Sequence, residues 1–245
     1  MSIRTTFATA ARVLKQLRSD HRTMALLLVV PTLLMVLLRY VFDGSPATFN
    51  RIGLPLLAIF PFVTMFLVTS VAMLRERTSG TLERLLTTPM GKLDLLIGYA
   101  LAFAVTTLVQ VAVASTFAFT WLDLDAPGGV APVVLIALAD ALLGMSLGLF
   151  VSAFAATEFQ AVQFLPAIVL PQFLLCGLLA PRDQMLDLLR WISNVLPLSY
   201  AVDGMTRLRT DGAFTAQVGT DLAVVVGCTV VALALGAATL RRRTA

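Results

Sequence analysis

The sequence predicts an all-α polytopic membrane protein with six transmembrane helices, an N-terminal interfacial amphipathic helix and short external re-entrant helices between the fifth and sixth spans. Of the 245 residues, 58% are hydrophobic and only 13% are charged, whereas about 25% are charged in an average soluble domain. The mean hydropathy is +0.90. The Lys and Arg residues lie in short clusters between long apolar runs, a pattern typical of membrane topology rather than of nucleic-acid binding.

The apolar runs have the length that a membrane-spanning helix needs, roughly 20 residues. We expect residues 1–22 to form a cytoplasmic segment and residues 23–245 to form the transmembrane domain. The first run is too long for the apolar core of a secretory signal peptide, so it should remain in the mature protein. The six predicted spans cover about residues 23–42, 53–74, 94–121, 132–156, 161–180 and 221–240.

The charge pattern predicts that both termini lie in the cytoplasm, because Lys and Arg near the ends of spans are retained on that side. With this orientation, twelve of the 18 basic residues fall in the cytoplasmic segments 1–22, 75–92 and 241–243. Five arginines fall in external segments, and Arg39 lies at the outer end of the first span.

The segment before the first span has a helical amphipathic pattern. Its basic residues lie mostly on the side opposite the apolar ones, which predicts a helix on the inner leaflet. An ordinary cytoplasmic segment held by anionic lipid is the alternative. The apolar positions are Ile3, Phe7, Ala10, Leu14 and Leu17.

The longest predicted cytoplasmic segment between spans is RERTSGTLERLLTTPMGK, residues 75–92. Gly80 can break the helix that continues from the second span, and Pro89 can end the following turn. A helix this short is marginal in water, so we expect it to need a partner surface. A charged loop resting on lipid headgroups is the alternative. The apolar edge of the short helix would consist of Leu82, Leu85 and Leu86.

The region 181–220 is too polar for one span and too apolar for a plain loop. Pro181, Pro197 and Gly204 are predicted to divide it into short helices. Backbone that leaves helical geometry at membrane depth must be covered by protein or water. We therefore expect re-entrant or interfacial helices over about 181–209, at the outer mouth of the bundle.

The sequence lacks the patterns of several enzyme classes. Its one histidine is His21, and it contains no HExxH or GxSxG pattern, which argues against metal-dependent or serine-histidine hydrolysis. The Gly91-Lys92 pair is not followed by Ser or Thr and does not form a phosphate-binding loop. We expect no metal, no cofactor and no ATPase activity in this chain. Cys176 and Cys228 are expected to be small buried thiols.

Asp140 is the one acid predicted to lie well inside a span. A charge at that depth costs about 2.5–3.5 kcal/mol on insertion scales, which makes Asp140 a possible path residue. A close helix contact through Gly144 and Gly148, which share its face, is the alternative explanation. A single such acid cannot form an aspartyl dyad within one chain.

Other polar residues are scattered along the predicted spans. They suit the path of an amphipathic drug or lipid better than that of an ion, although such residues also hydrogen-bond their own backbone. They are Thr64, Thr69, Gln110, Ser115, Ser146, Ser152, Gln160 and Gln163.

Two segments resemble ABC-2 type transporter permeases, especially bacterial drug exporters related to daunorubicin resistance. ERTSGTLERLLTTPMGKLDLLIGY is similar to the family's ER-x-x-GTLE-x-L-x-x-TP segment. LLCGLLAPRDQMLDLLRWISNVLPLSYAVDGMTRLR resembles the family's segment after the fifth helix, with its LP-L-x-Y motif. Both lie at the positions that the six spans require, so the resemblance covers essentially the whole chain.

The resemblance implies roles for individual residues. The N-terminal helix would be the connecting helix, next to a coupling helix of about residues 75–92 that docks on an ATPase subunit. The coupling residues would be Glu76, Arg77, Gly80, Thr81, Glu83 and Arg84. The external gate would contain Pro197, Leu198 and Tyr200.

The resemblance also implies partners and a location. The chain would be the permease subunit of an ATP-driven exporter in a bacterial cytoplasmic (plasma) membrane, moving an amphipathic drug-like or lipid-like molecule. It would assemble with a nucleotide-binding subunit, which binds ATP and Mg²⁺, and with a second permease, identical or homologous. Membrane lipid would surround it, and no nucleic-acid partner is expected.

A proton- or ion-coupled secondary transporter that uses Asp140 and Glu158 is the alternative function. A membrane scaffold or sensor that transports nothing is a third hypothesis, against which the 75–92 pattern argues. Transport into vesicles that carry a proton gradient but no ATP distinguishes the secondary transporter from the ATP-driven exporter.

Overall fold

The computed structural model describes residues 3–79 and 92–239, without the side chains of Lys92 and Leu93. Within these ranges, six helices are long and apolar enough to cross a membrane, which confirms the predicted all-α polytopic fold. The helices are α1 (Ile3–Ser19), α2 (His21–Val41), α3 (Pro46–Thr78), α4 (Lys92–Thr120), α5 (Val130–Val151), α6 (Glu158–Leu175), α7 (Asp187–Val195), α8 (Pro197–Asp211) and α9 (Ala216–Thr239), with a 3₁₀ turn at Arg182–Gln184.

The candidate spans are α2 to α6 and α9, and several of them end at other residues than the sequence predicted. The fourth span ends at Val151 and the fifth at Leu175, each five residues early. Thr157 caps α6 by accepting a hydrogen bond from the Gln160 N–H at 3.2 Å, which fixes a turn before that helix. The second span extends beyond both of its predicted ends. Its first helical residue is Pro46, a position where proline fits because the N–H it lacks would have no partner within the helix.

The early start of α9 brings a second acid into a candidate span besides Asp140. The helix begins at Ala216 rather than near residue 221, so Asp221 lies within it and is buried. Its carboxylate is 3.3 Å from the Arg207 guanidinium of α8. An ion pair lowers the cost of burying a carboxylate.

The centre of the bundle is the contact between α3 and α5, the most extensive in the described fold. A methyl group at Gly144 would lie 2.2 Å from the Phe62 carbonyl oxygen, and one at Gly148 would lie 2.2 Å from Thr69 Oγ1. Only glycine allows the two backbones to approach this closely. The structure thus contains the close helix contact on the Asp140 face that is the alternative explanation for this acid.

The helices α2, α6 and α9 lie at the periphery. In the most apolar stretch of each of these helices, only 22%, 17% and 17% of the residues are buried, against 61% in α3 and 67% in α5. Their outer faces carry exposed apolar side chains such as Val29, Leu170 and Val230. In a membrane, such faces contact lipid or another apolar protein surface.

Helix α1 forms as predicted, but its buried face differs from the predicted apolar face. Ala10 and Leu17 are buried against the bundle, whereas Ile3 and Phe7 are 76% and 62% exposed. The flank that carries Thr6, Thr9 and Val13 packs on α4 instead. The exposed flank is free to contact lipid, and the location of α1 on the inner leaflet stays a prediction.

The segment between α6 and α9 folds into short helices, as expected, but Gly204 does not divide them. It lies in the middle of α8, where a methyl group would meet Ile136 at 3.1 Å and Asp221 at 3.7 Å. The small residue therefore allows α8 to approach α5 and α9 closely. Pro197 begins α8. Whether these helices re-enter the membrane stays a prediction.

Candidate functional site

Helix α1 lies at the end of the bundle where α3 ends and α4 begins, which we call the α1 end. It packs mainly on α4. A methyl group at Gly98 would lie 2.7 Å from Thr9 Cβ and 3.0 Å from the Thr6 carbonyl oxygen. The glycine thus sets the distance between α1 and α4.

Three side chains join α1, α3 and α4, and we call them the Arg12 cluster. Arg12 Nη2 lies 3.6 Å from the Glu76 carboxylate and donates a hydrogen bond to the Tyr99 hydroxyl. The guanidinium also lies 5.6 Å from the centre of the Tyr99 ring, within cation–π range. Glu76 and Tyr99 are buried, and the Arg12 cation compensates part of the cost of burying their polar groups.

A second ion pair joins α3 to α6 at the same end. The Arg75 Nε and Nη2 atoms donate to the two carboxylate oxygens of Glu158, at 2.7 and 3.0 Å. Nearby, Asp20 caps α2 by accepting hydrogen bonds from the Thr23 backbone N–H and hydroxyl, at 3.1 and 2.7 Å. These hydrogen bonds hold the pKa of Asp20 below its ordinary value.

A cleft of about 290 Å³ lies among α1, α2, α3, α4 and α6 at the α1 end. Asp20, Glu76 and the Arg75–Glu158 pair form its charged part. The remaining wall is largely apolar and includes Leu17, Leu26, Val68, Val71, Phe103 and Val162.

The structure describes two of the six predicted coupling residues, Glu76 and Arg77. Both belong to the last turns of α3, because this helix runs without a break to Thr78. Glu76 is buried in the Arg12 cluster, and Arg77 is half-buried. The other four predicted coupling residues, Gly80, Thr81, Glu83 and Arg84, lie outside the described residues.

The predicted gate residues lie at the opposite end of the bundle, which we call the α8 end. Leu198 is fully buried, and the Tyr200 hydroxyl donates to the Asn194 carbonyl at 2.7 Å. Close by, the Ser193 hydroxyl donates to the Leu175 carbonyl at 2.7 Å. The hydrogen bonds of α7 thus reach both α8 and the end of α6.

A charged network at the α8 end escaped the sequence analysis. Arg182 binds Asp203 and Asn194, and its guanidinium lies 5.7 Å from the centre of the Tyr200 ring. Gly177 has a φ of +95° and packs against the Arg182 side chain. Burial raises the pKa of Asp203, and the Arg182 cation opposes that shift. The signal in the sequence was the high share of charged residues in the segment 181–211, which includes Arg182, Asp203 and Arg207.

Asp140 is fully buried in α5. Neither of its carboxylate oxygens has a hydrogen-bond donor among residues 3–79 and 92–239. Buried polar groups without a partner are uncommon and point to strain or function.

The side chains of most of the other polar residues predicted in the spans form hydrogen bonds with backbone groups. The Thr69 hydroxyl lies 2.6 Å from the Met65 carbonyl and 3.1 Å from the Met145 carbonyl across the α3–α5 contact. Ser146 and Ser152 donate to carbonyl oxygens of their own helix. The Gln110 amide donates to the Thr64 hydroxyl. These contacts favour a structural role over a path for substrate.

Part of the chain is similar in sequence to known ABC transporter proteins. The chain is 27% identical over 157 residues to ABC transporter G family member 20 of Dictyostelium discoideum, which covers 64% of this chain and 22% of that protein. It is 27% identical over 146 residues to the probable multidrug ABC transporter permease YbhR of Escherichia coli, which covers 57% of this chain and 39% of that protein. The chain thus matches between about a fifth and two fifths of the length of these relatives.

The family comparison covers more of the chain than either relative. Residues 4–208 match the ABC-2 type transporter family. The matched range begins in α1, contains the α3–α5 centre and the Arg12 cluster, and ends in α8. The chain therefore belongs to the ABC-2 type transporter family.

Proposed function

We propose that this chain is the permease subunit of an ATP-driven exporter whose ATP is hydrolysed by a separate nucleotide-binding subunit. Membership of the ABC-2 type transporter family supports the proposal. The structural observation that carries it is the Arg12 cluster. It fixes α1 to the end of α3 and the beginning of α4, which are the two helices on either side of the predicted coupling segment.

The long helix α3 is suited to transmit movement across the bundle. Its 33 residues correspond to a length of about 50 Å at 1.5 Å per residue. A displacement of the coupling segment would act on the α1 end of this helix. Because α3 packs on α5 through Gly144 and Gly148 with almost no free space, the displacement would move both helices together.

The properties of the cleft at the α1 end favour an amphipathic substrate, which would be drug-like or lipid-like. Its volume of about 290 Å³ is near the lower end of the range for small-molecule sites, roughly 300–1,000 Å³. Apolar walls beside the Arg75–Glu158 pair would accommodate an apolar body with a polar group. Transport would then proceed from the α1 end to the α8 end.

The proposal includes an orientation and a second permease. The α1 end would face the cytoplasm, because most of the basic residues lie in the segments at that end. The sparsely buried faces of α2, α6 and α9 provide the apolar surface that a second permease, identical or homologous, would contact. Substituted cysteines at Ser19 and Asp125, probed with a membrane-impermeant thiol reagent in intact cells, would react only at position 125.

Charge reversal in the predicted coupling segment tests the proposal. The chain is co-expressed with an ABC nucleotide-binding subunit from the same source, and the complex is purified through a tag on the permease. We expect Glu83→Lys combined with Arg84→Glu to lose the ATPase subunit. The control Asp125→Lys, at the α8 end, should retain it. Full assembly of the double variant would count against docking at this segment.

The buried Asp140 favours a second candidate function, proton-coupled transport. A carboxyl at this depth that has no hydrogen-bond partner among the described residues could carry a proton. Proteoliposomes that hold the permease alone, with a proton gradient and no ATP, separate the two functions. Uptake of a transported compound that Asp140→Asn abolishes would show that the chain is a secondary transporter. The proposed exporter takes up no compound under these conditions.

A further inference from the structure

A second cleft, of about 560 Å³, opens at the α8 end. Its walls come from the first turns of α3, the turn between α6 and α7, and the facing sides of α7 and α8. Two acids, Asp183 and Asp203, face four basic side chains, so the formal charge of the lining is positive. The basic residues are Arg51, Arg182, Arg190 and Arg209.

Two of these arginines are already engaged. Arg182 binds Asp203 and Asn194, which fixes its guanidinium in the wall of the cleft. Arg190 pairs with Asp187 on its own helix, and the side chain of Asp187 is largely exposed. An exposed pair of this kind contributes little and leaves the guanidinium able to accept another anion.

The other two arginines have no acidic partner in the described part of the chain. Arg51 is exposed on the first turns of α3. Arg209 is half-buried on α8, and its Nε atom is buried without a hydrogen-bond acceptor. A buried donor that lacks an acceptor is costly unless a ligand supplies one. The cleft therefore has guanidinium groups in excess of the acids that could neutralise them.

We infer that this cleft binds a phosphate-type oxyanion. Guanidinium groups form planar pairs of donors that match the oxygens of phosphate, so several of them around one concave site favour this ligand over a halide. Asp183 and Asp203 line the same cleft and would repel an anion. Asp203 is neutralised by Arg182, however, and Asp183 is exposed to solvent.

The neighbouring helix indicates that a lipid headgroup supplies the phosphate. Helix α7 carries large apolar side chains that are strongly exposed, including Leu188 at 68% and Trp191 at 67%. Its opposite face contributes Arg190 and Asn194 to the cleft. An amphipathic helix with this division lies naturally in the interface, with apolar side chains among acyl chains. The cleft would then lie at the depth of the phosphates.

The test compares two lipids that differ in the phosphate-bearing headgroup. The purified chain in detergent is mixed with phosphatidylglycerol or with diacylglycerol that has the same acyl chains, and bound lipid is counted by native mass spectrometry. We expect the wild type to retain phosphatidylglycerol preferentially. Arg51→Gln and Arg209→Gln should each reduce its retention about tenfold, the effect of losing one charged pair of hydrogen bonds. The control Arg22→Gln, at the α1 end, should leave retention unchanged.

Arg51→Lys refines the test because it keeps the charge and removes the planar pair of donors. Retention between that of the wild type and that of Arg51→Gln is expected. Because Arg51 is exposed, its variants provide the result even if Arg209→Gln fails to fold. A second arm measures thermal stability in inorganic phosphate and in chloride at equal ionic strength. Stabilisation by inorganic phosphate that Arg51→Gln abolishes would show that a free oxyanion also binds.

The inference is overturned if the wild type retains both lipids equally and inorganic phosphate does not stabilise it. It is also overturned if Arg51→Gln and Arg209→Gln both retain phosphatidylglycerol at the wild-type level, because the lipid would then bind elsewhere. No ATP or ATPase subunit is present in either arm. The result is therefore independent of whether the proposed coupling to an ATPase holds.

Discussion

At the scale of single residues, two glycines decide how closely the central helices pack. Gly144 and Gly148 lie one helical turn apart on α5 and face the backbone of α3 around Phe62 and Phe66. Because lipid is as apolar as the side chains of the helices, tight packing and hydrogen bonds must hold the two helices together. The Thr69 hydroxyl adds a hydrogen bond to the Met145 carbonyl across this contact.

We predict that Gly148→Ala destabilises the protein by about 1–3 kcal/mol, because the added methyl group forces the two backbones apart. That methyl group would lie 2.5 Å from the Phe66 carbonyl and 3.1 Å from the Ser70 nitrogen, neither of which can rotate away. Thermal unfolding in detergent measures the effect.

Gly227→Ala is the matched control, since this glycine lies in α9 and nothing lies within 4 Å of the added methyl group. It should leave stability unchanged or raise it by up to about 1 kcal/mol, the helix propensity of alanine over glycine. Equal stability of the two variants would contradict the tight α3–α5 contact.

The Arg182 network gives a prediction about pH. The pKa of Asp203 is raised mainly by burial, and Arg182 and Arg207 oppose the shift. A carboxyl whose pKa is higher in the folded state binds a proton there after the unfolded chain has lost it. Folded stability therefore falls as pH rises from the ordinary pKa of 3.8 to the raised one. In Arg182→Gln one opposing cation is missing, so this fall should extend to higher pH.

Thermal unfolding in detergent over a pH series checks this shift. Arg190→Gln is the control, because Arg190 pairs with the exposed Asp187 and is not among the groups that shift Asp203. Its pH profile should match that of the wild type. A profile of Arg182→Gln that coincides with both would mean that Arg182 does not control the titration of Asp203.

At the scale of elements, α1 is held by the Arg12 cluster as well as by apolar contact. Glu76 and Tyr99 come from different helices, and Arg12 contacts both. The helix is short, and a helix of 17 residues has little stability on its own in water. We therefore expect the cluster to contribute to keeping α1 docked beside the predicted coupling segment.

We predict that Arg12→Gln destabilises the docking of α1 by about 1–3 kcal/mol, because it leaves the buried Glu76 carboxylate without a cation. Limited trypsin digestion should then cleave faster after Lys15 and Arg18. Arg4→Gln, an exposed change on the same helix, is the control. Combining Arg12→Gln with Glu76→Gln should restore part of the protection, since the uncompensated charge is gone. Unchanged cleavage in Arg12→Gln would show that apolar contacts alone hold α1.

The elements also show what the sequence could and could not predict. Long apolar runs identified every candidate span in the described chain, because membrane helices need about 20 apolar residues. Their ends were less predictable. Val151 and Leu175 end their helices although apolar residues continue beyond them, because hydropathy does not report the caps and turns that end a helix. Gly204 was wrongly predicted to break a helix, since a glycine that allows close packing has the same sequence signal.

The candidate site was predictable only in part for a similar reason. Family motifs pointed to Glu76 and Tyr200, which lie in polar clusters at the two ends of the bundle, and their roles in coupling and gating stay predictions. The partners of these residues come from distant parts of the chain. Arg12 meets Tyr99 across 87 positions, and Arg75 meets Glu158 across 83. Contacts of this kind depend on how the helices pack, and a single sequence does not show which distant residues come together.

At the scale of the whole molecule, tightly packed central helices are surrounded by sparsely buried ones. The α3–α5 pair connects the α1 end, with its Arg12 cluster and cleft, to the α8 end, with its Arg182 network. The outer faces of α2, α6 and α9 remain apolar and open. This division is consistent with the proposed permease, whose peripheral faces would contact lipid and a second permease.

The most direct test of the proposed function is the ATPase rate of a reconstituted complex. The chain and an ABC nucleotide-binding subunit from the same source are assembled in nanodiscs, and ATP hydrolysis is compared with that of the subunit alone. We predict that the wild-type chain forms a stable complex with a changed rate, and that charge reversal of Glu83 and Arg84 abolishes both effects. An unchanged ATPase rate, together with proton-driven uptake by the chain alone, would contradict the proposed function.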